Sequence, residues 1–415
     1  MSGQPLRLVA ALDLGSTRVT GLIGEVQGEP RAPRARVLGV ASERSPGIRR
    51  GVVRDIEEAT RAIAKVMRDA ELMAGVKVGT VYCGVAGEHI ATRSSHGVVS
   101  VTGSEIRTGD VARVNDVASN VRFGADHELL HAIPQDYLID QQDGITEPIG
   151  MAGSRLEAEV YLVTIVSSAL QNLRRCVEKA GYEVREFVLE PLAASLAVLT
   201  PEERAGCALV ELGGGSTNVA VFQGGKIRHT ASSTFAGGHV TSDIVQGLQV
   251  TQPEAERLKE RFGAAYEALV DPAEIIQLPG TATQGARSVH RRVLAHIMQM
   301  RLQEVFELAL DELSRTGYRQ RLAAGIVLTG GGAQAPGIVE LAREVFAMGV
   351  RVGRPGPGLS GLTDSVDSPR MAVPAGLLLY GAREAMGGGG FGPAGRSPAV
   401  EKVFGPVKRW LQDFF

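Results

Sequence analysis

The chain is poor in several things that would announce a function. Its three cysteines, Cys83, Cys176 and Cys207, stand far apart, with no Cys-x-x-Cys pair and no Cys/His ligand spacing. That argues against a disulfide framework or a zinc site, and the three read as reduced, buried thiols of a cytosolic protein. There is one tryptophan, and 44 Lys and Arg balance 46 Asp and Glu, so no basic excess marks a nucleic-acid binder. No basic start followed by an apolar run opens the sequence, so no signal peptide is predicted. No stretch approaches the roughly 20 apolar residues that span a bilayer.

Glycine, by contrast, is abundant: 52 of 415 residues, against a usual share of about 7%. Much of it falls in short loops directly after apolar strands. Leu6–Asp13 reads as a strand, Gly15–Arg18 as a tight turn and Val19–Val26 as a returning strand. Asp55, three residues before Glu58, opens a helix whose apolar face runs Ile56, Ala59, Ile63, Val66, Met67 and Ala70. The pattern restarts at Ala208–Glu211, with a Gly-rich turn at Gly213–Thr217 and a strand at Val219–Gln223. A length too great for one core and this recurrence together predict a duplicated α/β domain. Gly87–Gly153 differs in texture, with short strands and a polar helix near Asp110–Asn120, and reads as a small α+β insertion. A helix is expected from Arg287 to about Arg315.

Both turns have the chemistry of an anion cradle. In Asp13-Leu14-Gly15-Ser16-Thr17-Arg18 the glycine admits backbone N–H groups close to an anion, two hydroxyls donate, and Arg18 adds a cation. Asp13, at the strand end, suits a hydrated Mg²⁺. Glu211 leads the matching loop Gly213-Gly214-Gly215-Ser216-Thr217-Asn218. Either loop alone would be an ordinary hairpin turn. Two together, each led by a carboxylate and followed by hydroxyls, point to a nucleotide between them. A third loop, Gly330-Gly331-Gly332 after the strand Ile326–Leu328, lets an adenosine lie against backbone. Neither GxxxxGK[ST] nor a strand-to-helix GxGxxG is present.

This three-loop order resembles the actin-like ATPase superfamily over about Val9 to Gly381. The resemblance implies two actin-like α/β domains around a nucleotide cleft, with ATP and Mg²⁺ as cofactors. It implies that Asp13, Gly15, Ser16, Thr17 and Arg18 form the first phosphate loop and Gly213, Gly214, Gly215, Ser216 and Thr217 the second. Asp13 and Glu211 then hold Mg²⁺ through water, and Gly330, Gly331 and Gly332 meet the adenosine. Glu190, in Glu190-Pro191-Leu192-Ala193-Ala194, matches the residue that orients the attacking water in hydrolysing relatives. Glu256 and Lys259 match an acid and a lysine that flank the adenosine. Without the resemblance they are an ordinary intrahelical ion pair. The second loop departs from the superfamily pattern, with Glu211 and Asn218 where aspartates are usual, so at most slow hydrolysis is expected.

Within the superfamily the chain resembles the bacterial cell-division family FtsA, on the passages Gly51–Asp55, Asp140–Leu156, Ala236–Gln246, Ala324–Gly332 and Ser360–Asp364. The likeness implies a peripheral protein on the cytoplasmic side of the inner membrane at the division site. Such a protein polymerises with itself, binds the C-terminal tail of the tubulin-like protein FtsZ and recruits later division proteins. The insertion would serve self-assembly and later partners, and 249–316 would take the FtsZ tail, with Arg291, Arg292 and Arg301 as candidate contacts. The expected partition is 1–86 and 154–200 for the first domain, 87–153 for the insertion, and 201–248 and 317–386 for the second domain. Residues 249–316 form its small subdomain, 387–398 a flexible linker and 399–415 a terminal helix.

On a helical wheel Val400, Val403, Phe404, Val407, Trp410, Leu411, Phe414 and Phe415 fall within an arc of about 140°. The charged residues Glu401, Lys402, Lys408, Arg409 and Asp413 fall outside it. An apolar stripe carrying the only tryptophan predicts a helix lying in a lipid surface. Two other readings fit parts of the sequence. One is an actin-like adaptor of pilus assembly, which shares the insertion. The other is a small-molecule kinase of the same fold, for which no general base is evident outside the carboxylates already assigned.

Overall fold

The computed structural model describes residues 7–29, 32–280 and 285–387. Two sheets repeat one topology. In the first, Leu8–Leu14 pairs antiparallel with Arg18–Glu29 and parallel with Thr80–Val85, which in turn pairs parallel with Glu183–Leu189. In the second, Gly206–Leu212 pairs antiparallel with Thr217–Gln223 and parallel with Ile326–Thr329, which is followed by Val350–Val352. Asp13 stands opposite Thr20 and Glu211 opposite Asn218, each one residue before its hairpin turn. The duplication is therefore visible residue by residue. The central strands run apolar without alternation because they are covered on both faces.

The helix Ile56–Ala74 starts where Asp55 Oδ1 accepts the Glu58 N–H at 2.9 Å. It ends on Gly75 at φ +67° and covers the first sheet with Ile63, Val66, Met67 and Ala70. The last described helix, Ala372–Ala385, covers the same sheet. Before it, Leu359–Gly361 adds in parallel beside Ala35–Val37. The sequence reading carried 317–386 into the second domain, whereas the chain from about Leu359 belongs to the first. The physical reason is that Ala372–Ala385 is apolar on nearly every side, and such a helix must be enclosed. The space between the first sheet and the helix Glu190–Val198 encloses it.

The insertion is a four-stranded sheet in the order Ile90–Ser100, Arg155–Val166, His127–Ile139, Gln142–Ile145, with the helix Thr108–Ser119 packed on it. Arg155–Val166, expected in the first domain, is thus an inner strand of the inserted sheet. Leu156 and Ala158 join the insertion's core, while Tyr161, Val163 and Ile165 join that of the first domain. Residues 249–316 share most of their core with the second sheet: Ile276, Leu294, Met298 and Phe306 pack in one cluster with Val210 and Leu328 of that sheet and Val240 of the helix Gly237–Leu248, while Ala264, Val270 and Ala295 form a small cluster of their own. The long helix is Arg291–Arg315, because Arg287–His290 is taken up as a strand beside Ile275–Leu278.

Candidate nucleotide site

The ends of both sheets that carry the Gly-rich turns face each other across a cavity of about 510 Å³. The size suits a small-molecule ligand. Asp13, Gly15, Ser16, Thr17 and Arg18 line it from the first half. From the second half come Glu211, Gly213, Gly214, Gly215 and Ser216, then Glu256 and Lys259, and Gly330, Gly331 and Gly332. Thr217 is the exception: it is buried, absent from the lining, and its hydroxyl donates to the Phe235 carbonyl at 2.7 Å. As the first residue of a strand, its side chain alternates away from the turn.

The two loops are held from behind. Ser16 Oγ accepts the Gly51 N–H at 3.1 Å, and Gly237 and Gly238 donate their N–H groups to Gly213 O at 3.0 Å and Gly214 O at 2.8 Å. The loops also touch each other. A Cβ on Gly214 would lie 1.8 Å from Thr17 Oγ1, and one on Gly215 would lie 2.3 Å from Ser16 Oγ. Gly330, at φ +84°, brings the third loop against the Leu212 backbone, where a Cβ would come within 2.6 Å of the carbonyl oxygen. On the helix Gln252–Phe262, Lys259 Nζ reaches Glu256 at 2.8 Å, Thr241 Oγ1 at 2.8 Å and Gly237 O at 3.3 Å.

Three carboxyls converge between the loops. Burial, and then the charge of Glu211, push Asp13 up to about 8. Glu190, at the first turn of its helix, is raised well above the usual carboxylate range by burial, then by Glu211 and Asp13. Glu211 is pushed to about 7 by burial, an effect opposed by the Asn218 Nδ2–H bond to its Oε2 at 3.2 Å. Carboxyls gathered this closely favour the protonated form, and a cation between them would favour the ionised one. All-oxygen donors suit a hard ion such as Mg²⁺. Among the described residues no group of three or more His, Cys, Asp or Glu side chains stands at direct ligating spacing.

Several lining residues were not legible as such in sequence. Met298 and Leu302 project from Arg291–Arg315 at core spacing, and Arg370 and Met371 arrive from the far end of the chain. Gly237 lies in the Ala236–Gln246 passage, so a signal existed without a role. The candidate tail contacts are already engaged: Arg291 with Phe262 O and Glu274, Arg292 with Glu267, and Arg301 with Asp243 and Glu304. The stripe Val403, Phe404, Val407, Trp410, Leu411, Phe414 and Phe415 lies outside the described residues, as does nearly all of the linker. No described helix is long and apolar enough to cross a membrane.

The family described as Cell division protein FtsA matches residues 208–376, and the SHS2 domain inserted in FTSA matches residues 87–164. The latter span takes in the strand Arg155–Val166 almost whole. Among curated proteins, the Cell division protein FtsA of Pseudomonas aeruginosa is 39% identical over 419 residues, covering 100% of both chains. That of Escherichia coli K12 is 36% identical over 98% of this chain and 96% of its own. Among solved structures, a chain of the PilM-PilN type IV pilus biogenesis complex superposes with a TM-score of 0.64 at 15% identity, over 91% of this chain and 99% of that one. MreB5 of Spiroplasma citri bound to ADP gives 0.55 at 15% identity, over 91% and 97%. At such identities these two speak for the actin-like fold alone.

Proposed function

Because the chain belongs to the FtsA family of cell-division proteins, we propose that it is an ATP-switched adaptor that polymerises on the inner face of the cell membrane. There it ties FtsZ filaments to the lipid surface and recruits later division proteins. The observation that carries the nucleotide part is the convergence of three Gly-rich loops and the carboxyls of Asp13, Glu190 and Glu211 on one cavity. ATP with Mg²⁺ supplies there an anionic phosphate chain with its compensating cation. Backbone N–H groups of both loops, with Ser16 and Arg18, hold the phosphates. Asp13 and Glu211 hold the waters of the ion, and Glu256 and Lys259 flank the adenosine. Glu190, held near both, orients a water.

Hydrolysis is slow in this reading, because Glu211 carries one methylene more than the usual aspartate and Asn218 is neutral. Turnover above roughly 1 s⁻¹ would contradict it. Residues 249–316 take the FtsZ tail, and 399–415 bind lipid weakly singly and firmly when a polymer links many copies. The test is co-sedimentation of the full chain with liposomes and FtsZ, with and without ATP and Mg²⁺. FtsZ is expected in the pellet only when this protein and lipid are both present. Absence of FtsZ from that pellet would overturn the adaptor reading, and phosphorylation of a small metabolite would favour the kinase.

A further inference from the structure

The inserted sheet is attached to both halves of the protein, and part of it packs into the first domain's core. Its chain leaves the first half after Val85 and returns to it at Val166. Its side chains also grip Lys226–Ser233, the edge strand of the second sheet. Gln135 Nε2 donates to Ile227 O at 3.1 Å, and Tyr161 OH accepts the Thr230 N–H at 2.8 Å. Lys226, its side chain 5% exposed, donates to Gln135 O and lies 3.5 Å from Asp136, which Arg228 holds at 2.7 and 3.3 Å. An open sheet edge exposes unpaired backbone groups, and these contacts satisfy two of them, Ile227 O and Thr230 N–H.

The far end of the same strand reaches the nucleotide carboxylates. Ser232 pairs in register with Asn218, and its hydroxyl donates to Asn218 Oδ1 at 2.8 Å. Asn218 Nδ2 in turn donates to Glu211 Oε2 at 3.2 Å. An amide accepts from Ser232 and donates to Glu211 at once. An ionised aspartate at this position has no proton to donate and repels Glu211. Glu211, Asn218, Thr230 and Tyr161 are all buried, and Ser232 between them is half-buried.

We propose, on the nucleotide reading above, that Asn218 is a positioning residue for the Glu211 carboxylate. Through Ser232 and Thr230 it joins Mg²⁺-ATP binding to the docking of the inserted sheet on the second half. Ligand that fixes Glu211 tightens the Tyr161–Thr230 contact, and by reciprocity a weakened contact loosens the ligand.

The experiment uses the full chain, with Tyr161→Phe, which removes only the hydroxyl, and Asn218→Asp. Affinity for ATP is measured by calorimetry with Mg²⁺ and with EDTA, and exchange of the Thr230 amide by mass spectrometry. In Tyr161→Phe, binding with Mg²⁺ is expected to weaken roughly three- to tenfold, and binding with EDTA to change little. In the wild type Mg²⁺-ATP should slow exchange at Thr230, and in Asn218→Asp it should not. Tyr161→Phe affinity within about twofold of wild type, or Thr230 exchange in the wild type indifferent to Mg²⁺-ATP, overturns the coupling alone. A wild-type chain that binds no Mg²⁺-ATP overturns the nucleotide reading and the coupling together. The wild-type exchange measurement decides even if a variant folds poorly.

Discussion

At Gly214 a single hydrogen atom separates the two phosphate loops. Since a Cβ there would stand 1.8 Å from Thr17 Oγ1, Gly214→Ala must displace the Thr17 side chain or push the loops apart. A fluorescent ATP analogue is expected to bind at least about tenfold more weakly, a change of about 1.4 kcal/mol. Adding Thr17→Ala removes the obstructing hydroxyl and should restore part of that affinity; no recovery would mean the loops are not in contact. Asp13 makes a second prediction, on pH. Its folded-state value of about 8 lies above the unfolded value near 4. Below about pH 4 the group is protonated in both states and costs nothing; as pH rises toward 8 the unfolded chain releases a proton that the folded cleft retains, and stability falls. Asp13→Asn lacks this penalty. Without ligand it should gain on the wild type by a few degrees in Tm between pH 5 and pH 8 while losing Mg²⁺-ATP affinity. Parallel melting curves at all pH values would refute the assignment.

Among the elements, the helix Ala372–Ala385 bears the clearest test. Its Gly376 faces Ala193, where a Cβ would approach the carbonyl oxygen to 1.8 Å. In a solvent-facing helix Gly→Ala stabilises by about 1 kcal/mol. Here the sign should reverse, with Gly376→Ala costing about 1–3 kcal/mol as the helices separate. Thermal melts decide it, and a raised Tm would show that the two helices are not packed so closely. The same helix lies between the cavity and the end of the chain. The cavity residues Met371 and Val373 lie at or beside its start, and its last described turn leads into the linker toward 399–415. Residues 87–153 illustrate how element membership changes an experiment. Deleting them would leave Arg155–Val166 without its strand partners on either side, so point changes are the better probe. Val98 and Val117, 45% and 50% exposed on the inserted subdomain, are suitable positions. Changing both to Lys should impair recruitment of later division proteins and leave binding of the isolated FtsZ tail intact. Loss of tail binding would move that site onto the insertion.

For the molecule as a whole, the proposed function divides a nucleotide-binding body from a lipid-binding end. Removing 399–415, or changing Trp410 and Phe414 to Glu, should release the protein from liposomes while ATP affinity stays as in the full chain. Each Glu places a charge within the apolar stripe, where burial is strongly unfavourable. Liposome co-sedimentation at several protein concentrations also checks the polymer argument, since bound fraction should rise steeply with ATP. A truncated chain that pellets fully would mean that the lipid contact lies elsewhere.

What the sequence determined by itself was local or repeated. The two strand–Gly–strand units, the Asp55 cap, the alternation of strand and helix, the family and the apolar stripe of the last residues all depend on neighbours a few positions apart. The tertiary structure decided membership and environment. Arg155–Val166 is equally good as a strand in either sheet, and its partners, dozens of residues away, assign it to the insertion. Ala372–Ala385 reads as a buried helix without naming which core buries it. Thr217 looks like a phosphate-loop hydroxyl until strand pairing turns it inward. Asp13, Glu190 and Glu211 are raised only because folding brings three distant carboxyls into one cleft. Spacing along a chain encodes periodicity, whereas burial and charge coupling are sums over groups that meet only after the chain has closed on itself.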